Sequence, residues 1–175
     1  MRTITLFFAL FAFNAAFAQT VENANVYPSN LEENMYFNSF NPSTNTIEGL
    51  YFLVLSDGDN SRHVTPAFEV SIYLMPEGSS SREDLIIVKK YPLDGIYHMG
   101  SHEFNNESIN LNETPGIQPG NYRVGIWVNS DEAFDEDRSD NATLFSTPIR
   151  ITSATAGSNA DEPDDTWDDW DDEEW

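Results

Sequence analysis

Apolar and polar residues alternate over short runs along most of this chain, and turn-forming residues separate the runs every ten to fifteen positions. Alternation with a period of two is typical of β-strands that are buried on one face. No long stretch keeps the 3.6-residue period of an amphipathic helix. The pattern therefore predicts strands at Met35–Phe40, Ile47–Leu55, Ala67–Met75, Leu85–Tyr91 and Phe104–Leu111.

Two further strands form the clearest feature of the sequence, a β-hairpin between residues 119 and 151. Pro119-Gly120 predicts a turn, and the apolar residues after it share one face of a strand: Tyr122, Val124, Ile126 and Val128. An acidic loop from Ser130 to Asn141 follows, and the apolar run Leu144–Ile151 predicts the returning strand. About seven strands in roughly 120 residues predict an all-β fold, an immunoglobulin-like β-sandwich.

Residues 1–18 predict a signal peptide. Arg2 precedes an apolar run, Ile4–Phe13, that is too short to span a bilayer, and Ala16-Phe17-Ala18 supplies a small-x-small cleavage pattern. We therefore expect a secreted protein in the bacterial periplasm, at the cell surface or outside the cell. The rest of the chain divides into an N-terminal segment (19–30), the sandwich domain (31–152), a small polar linker (153–160) and a tail (161–175).

Cysteine content and charge narrow the functional classes. The chain has no Cys, which excludes disulfides and thiolate metal ligands and, in a secreted protein, favours a bacterial source. Without the predicted signal peptide, which contains Arg2, the chain has 7 basic and 30 acidic residues and a net charge of −23. Nucleic acids and anionic membrane surfaces attract basic proteins, so neither is an expected partner. Cations, basic proteins and neutral glycans remain as candidate ligands.

The acidic loop is a candidate calcium site, because Ca²⁺ prefers carboxylate and amide oxygens and takes six to eight of them. The candidate ligands are Asp131, Asp135, Asp137, Asp140 and Asn141. Their spacing is not that of an EF-hand loop. The alternative is a solvated hairpin tip in which Arg138 neutralises a neighbouring Asp.

The order of these features resembles the CARDB family, the cell adhesion related domain found in bacteria, over about residues 31–152. The resemblance rests on the strand Leu50–Gly58 with the following Phe68–Leu74 strand, and on the Pro119-Gly120-x-Tyr122 start of a strand that ends in an acidic loop. It implies an immunoglobulin-like fold and a role in adhesion or recognition rather than catalysis.

The acidic loop fits the pattern of that family only in part. The family has spaced acidic residues followed by two Asn before its last strand. Here Asp135 and Asn141 fit the pattern, whereas Arg138 replaces an acidic residue and Asp140 replaces the first Asn. These departures weaken the expectation that the loop acts as it does in the family.

No arrangement of residues predicts catalysis. A glycosidase needs two carboxyl groups at a fixed separation across a cleft, with one of them shielded from water. Acidic residues on an exposed loop lack both properties. The His residues, His63, His98 and His102, are too scattered for a zinc site. We therefore expect a binding protein and not an enzyme.

Trp127 is a candidate carbohydrate-binding residue. It alternates out of phase with the apolar residues of its strand, so it faces the other side of the sheet. A Trp exposed there could stack on a sugar or anchor a protein partner. The alternative is that both faces of the sheet are covered locally, for instance by the N-terminal segment Val21–Asn34.

The tail is the most unusual segment, because ten of its fifteen residues are acidic and three are Trp. Such a charge density predicts disorder. Rigid aromatic residues set in dense charge predict a peptide that docks on a basic partner protein. The candidate partner-binding residues are Trp167, Trp170, Trp175, Asp168, Asp169, Asp171 and Asp172.

The alternative for the tail is a purely solubilising segment. The remainder of the secreted chain has 7 basic and 20 acidic residues, a net charge of −13. Repulsion between like charges is therefore expected to keep the tail away from its own domain.

Overall fold

The computed structural model describes residues 24–57, 64–134 and 139–155. Within these residues it contains nine strands and no α-helix. The strands are β1 (Asn25–Pro28), β2 (Met35–Tyr36), β3 (Ser39–Asn41), β4 (Thr46–Asp57), β5 (Phe68–Pro76), β6 (Ile86–Leu93), β7 (Ser101–Asn110), β8 (Gly120–Val128) and β9 (Ala142–Ile151). Three 3₁₀ turns accompany them, at Glu32–Asn34, Arg82–Asp84 and Leu111–Glu113. The predicted signal peptide and the tail lie outside the described residues.

The strands form two antiparallel sheets that pack face to face. In the first sheet, β4 pairs with β7 along one edge and with β1, β2 and β3 in turn along the other. The second sheet has the order β6-β5-β8-β9. The predicted all-β immunoglobulin-like sandwich is confirmed, and so is the predicted hairpin, because β8 and β9 pair directly.

The residues that the period-two alternation of the sequence predicts to be buried form the core of the structure. The inward residues of β4, Leu50, Phe52 and Val54, are all 0% exposed, and those of β5 and β8 are likewise buried. The Phe52 and Phe104 rings of the first sheet stack at 4.3 Å between centroids, and Tyr91 of the second sheet lies 4.9 Å from Phe104. Each buried aliphatic or aromatic side chain stabilises the fold by about 1.5–3 kcal/mol relative to exposure.

The predicted edge strand Met35–Phe40 is interrupted at Phe37 and Asn38, which separate β2 from β3 without changing the register to β4. The backbone nitrogen of Asn38 donates to Glu48 O at 2.9 Å, and the Asn38 side chain lies against Gly49. Gly49 has a φ of +64°, a conformation that favours glycine, and a Cβ at this position would collide with Asn38. The first sheet also includes β1, which precedes the predicted start of the domain at residue 31.

Tyr122 fixes the start of β8. Its side chain is 5% exposed, and its hydroxyl donates to the carbonyl oxygen of Gln118 at 2.8 Å. This bond back to the loop is the tyrosine corner of immunoglobulin-like sandwiches. It connects the crossover between the sheets to the hairpin that follows.

Replacing Tyr122 by Phe removes this hydrogen bond and keeps the buried ring. We expect Tyr122→Phe to lower the free energy of unfolding by about 1 kcal/mol, because the Gln118 carbonyl loses its partner. Urea denaturation measures the change. Tyr97→Phe is the control, since Tyr97 is 64% exposed. Equal stability of Tyr122→Phe and the wild-type protein would show that the corner contributes nothing.

Candidate binding surfaces

The first half of the acidic loop is tied to the beginning of β5. The side chain of Asn129 accepts from the backbone nitrogen of Ala133 at 2.9 Å and donates to Phe134 O at 3.0 Å. Asp131 Oδ1 accepts from the backbone nitrogen of Glu69 at 3.0 Å. The Phe134 ring meets the Phe68 ring edge-on at 5.9 Å. This half of the loop therefore lies against the sandwich and does not project freely as a solvated tip.

The second half of the loop returns beside the first sheet. Asp140 Oδ2 accepts from Asn25 Nδ2 at 3.3 Å, and Asn141 is 1% exposed. Burial raises the pKa of Tyr27, and the nearby carboxylates of Asp57 and Asp140 raise it further. Asp140 therefore lies where β1, β4 and β9 come together.

The candidate calcium ligands are only partly described. Asp131 and Asp140 make the separate contacts given above, whereas Asp135, Asp137 and Arg138 lie outside the described residues. Among residues 24–57, 64–134 and 139–155, no group of three or more His, Asp or Glu side chains could hold a metal ion. The calcium site thus stays a prediction that depends on residues 135–138.

Calcium binding in this loop would stabilise the folded protein, because a ligand that binds only the folded state raises the melting temperature. We expect a higher melting temperature in millimolar Ca²⁺ than in chelator, and a smaller increase in Asp140→Asn. Calorimetry provides the measurement, with Mg²⁺ as the control for ionic strength. Identical melting in Ca²⁺ and chelator would rule out the site.

Trp127 faces outward from the second sheet and is partly exposed. The Arg82 guanidinium, from the turn between β5 and β6, stacks on the indole at 4.4 Å from the ring centroid. The described part of the N-terminal segment, residues 24–34, lies with the first sheet, where β1 pairs with β4. One face of the indole is covered locally, by the Arg82 guanidinium.

Tyr73 lies beside this pair on the same outer face. Its ring covers Gly125 of β8, where any Cβ would collide with it, and its hydroxyl donates to Thr143 O at 3.3 Å. Burial raises the pKa of Tyr73 to about 12, although the guanidinium groups of Arg123 and Arg82 act in the opposite direction. The centre of the outer face is therefore a close-packed aromatic surface with cations around it.

The raised pKa of Tyr73 predicts alkaline destabilisation. Between pH 10 and about 12, Tyr73 ionises in the unfolded chain but stays neutral in the folded protein, so the free energy of unfolding decreases as the pH rises. We expect this decrease to be smaller in Tyr73→Phe than in the wild-type protein, as measured by urea denaturation at several pH values. Parallel pH profiles would contradict the assignment.

The cations are concentrated on one side of the sandwich. Every Lys or Arg among the described residues belongs to the second sheet or to the turn between β5 and β6: Arg82, Lys89, Lys90, Arg123 and Arg150. The described strands of the first sheet contain none. The strand registers place Lys90 opposite Ser71, Arg123 opposite Met75, and Arg150 opposite Asn121, on the outward side.

We call this surface the basic face, defined by Arg82, Lys90, Arg123, Trp127 and Arg150. One salt bridge is present among the described residues, between Lys90 Nζ and Glu69 Oε1 at 2.9 Å. The three Arg side chains are exposed and have no described carboxylate within salt-bridge distance. Of these five residues, the sequence alone points only to Trp127, because a net charge does not reveal how charges are distributed among strands.

A surface groove lies at one end of the basic face. It has a volume of about 470 Å³, and Pro119, Gly120, Asn121, Arg150, Ile151 and Thr152 line it.

No helix among the described residues is long and apolar enough to cross a membrane. His98 is buried, and His102 packs on Phe104 at 4.8 Å between ring centroids.

No protein-family model matches this sequence, and no curated protein matches it. Several solved structures are similar to it, and three of them are described below. A CARDB domain from Pyrococcus furiosus, in complex with di-metal ions, has a TM-score of 0.48 and 13% identity over 76% of this chain and 92% of that chain. A cell surface protein domain from Methanosarcina acetivorans has a TM-score of 0.39 and 15% identity over 73% of this chain and 97% of that chain.

The third is a GH3 beta-glucosidase from Bifidobacterium adolescentis, with a TM-score of 0.45 and 15% identity over 82% of this chain and 19% of that chain. A CARDB structure is thus among the similar ones. Identities this low assign no function to this chain.

Proposed function

We propose that this chain is a secreted, non-catalytic module that binds a partner protein outside the cell, with the acidic tail docking on a basic surface of that partner. The composition of residues 161–175, three Trp among ten acidic residues, carries this proposal. Trp side chains supply large rigid contact areas, and the acidic residues supply attraction to a basic surface. A segment needed only for solubility would gain nothing from Trp.

The folded domain offers a fixed point from which the tail leaves. Thr155 is 4% exposed; its backbone nitrogen donates to Ile117 O at 3.0 Å, and its hydroxyl donates to Thr114 O at 2.6 Å. The backbone nitrogen of Ile117 in turn donates to the Thr155 hydroxyl at 3.1 Å. The tail therefore starts six residues after a residue held firmly against the sandwich.

An accessory carbohydrate-binding function is a second candidate, because Trp127 is directed outward and partly exposed. A sugar would need the indole face that Arg82 leaves free. Glycan binding that is lost in Trp127→Ala and kept in a protein without the tail would favour this function.

A pull-down from bacterial envelope extract tests the docking tail. Three proteins serve as bait: the wild-type chain, a chain truncated after Asn159, and a full-length variant with Trp167, Trp170 and Trp175 all replaced by Ala. We expect the wild-type chain to recover a basic partner and both variants to lose most of it, because the aromatic anchors contribute most of the binding energy.

The full-length Ala variant keeps all ten acidic residues and is therefore the control for charge alone. Equal recovery of partners by all three proteins would contradict the proposed function.

A further inference from the structure

We propose that residues 161–175 bind the basic face of the same molecule, so that this face is the docking site of the chain's own acidic tail. The proposal goes beyond the function above, because it concerns the isolated protein and needs no partner.

The chemical groups of the basic face and of the tail are complementary. The exposed guanidinium groups of Arg82, Arg123 and Arg150 have no salt bridge to a described carboxylate. Guanidinium groups pair with carboxylates and also stack on aromatic rings, as Arg82 already does on Trp127. The tail offers both kinds of group side by side, since each of its Trp residues has an acidic neighbour.

The concentration of the cations on one side of the sandwich reduces the expected repulsion. The net charge of −13 suggested that the domain repels its tail. Packed sheets lie about 10 Å apart, whereas the screening length at physiological salt is about 8 Å. Acidic residues on the first sheet therefore act weakly at the outer face of the second sheet, where the cations lie.

Three acidic groups near the basic face already have polar partners. Glu69 pairs with Lys90, and Glu77 Oε2 accepts from Asn121 Nδ2 at 2.8 Å. Asp84 Oδ2 accepts from the Ser79 hydroxyl at 2.6 Å. Only the Lys90–Glu69 contact is a charge pair, so the guanidinium groups of Arg82, Arg123 and Arg150 are the cations of this face that have no described carboxylate at salt-bridge distance.

The chain is long enough to reach. Thr155 is held beside Ile117, before the start of β8, and Trp127 lies near the other end of that strand. Ten residues of strand cover about 33 Å. The twelve residues from Thr155 to Trp167 span up to about 40 Å when extended, so the tail can run the length of the face. The groove beside Arg150 lies at the start of this route.

Tethering favours the same molecule over a second copy. A short connection gives the tail an effective concentration in the millimolar range at its own basic face. A second copy must reach that concentration in solution against the repulsion between two chains that each have a net charge of −23. The intramolecular contact is therefore favoured over the contact between two copies at ordinary protein concentrations.

Paramagnetic relaxation in solution tests the proposal directly. Because the chain has no Cys, Glu174→Cys gives a single position for a nitroxide label in the otherwise intact protein. We expect the label to broaden amide signals on the basic face, at Arg123 and Gly125, and the indole N–H of Trp127. Signals of Glu48 and Glu103 on the first sheet should stay sharp. Uniform or absent broadening would overturn the proposal.

A mixture of two samples identifies the molecule that supplies the tail. One sample has the nitroxide label but no nitrogen-15, and the other has nitrogen-15 but no nitroxide. We expect no broadening in the mixture. Broadening of the basic face there would mean that the tail comes from a second copy, which overturns the intramolecular assignment.

A charge variant provides the matched control. In Arg82→Gln/Arg123→Gln/Arg150→Gln, the broadening should fall at least severalfold. In Glu32→Gln/Glu33→Gln/Glu103→Gln, which changes three exposed acidic residues of the other side, it should persist. Equal broadening in both variants overturns the role of the basic face. If the Arg variant fails to fold, the broadening is measured in the wild-type protein in about 0.5 M salt instead. Screening is strong there, so the broadening of the basic face should fall as it would in the Arg variant.

Discussion

The packing of two sheets around one apolar core is the constraint on which the rest of this structure depends. The chain has no Cys, so no disulfide supports the fold, and within the described residues burial must provide the stability. The inward residues of β4, β5 and β8 are buried in this core. The stacked rings of Phe52 and Phe104 contact Tyr91 and so connect the two sheets. The Tyr122 corner then fixes how the chain crosses from one sheet to the other.

A filled core leaves only the outer faces, the loops and the segments beyond the sandwich for binding. The two outer faces differ strongly in charge, because the described cations all lie with the second sheet. Trp127 and the buried ring of Tyr73 give that face an aromatic centre, and Arg82 lies over the indole. The arrangement suits an anionic aromatic ligand better than a neutral one.

Much of the fold followed from the sequence because burial on one face leaves a period-two signal. That signal identified the buried residues of β4, β5 and β8 and the final hairpin. It missed β1 and the break between β2 and β3, since a four-residue strand has too few alternations and the break lies where Asn38 contacts Gly49 of the paired strand. The basic face could not be predicted either, because Arg82, Arg123 and Arg150 are far apart in sequence and only strand pairing brings them to one surface.

The central claim is that the basic face holds the acidic tail of the same chain. Zero-length carbodiimide cross-linking of the intact wild-type protein, followed by mass spectrometry of the monomer, tests it most directly. The Lys90–Glu69 pair at 2.9 Å provides an internal positive control. The account predicts additional cross-links from Lys89 or Lys90 to acidic residues in 161–175. A monomer in which Lys90 is joined to Glu69 but no Lys is joined to the tail would contradict it.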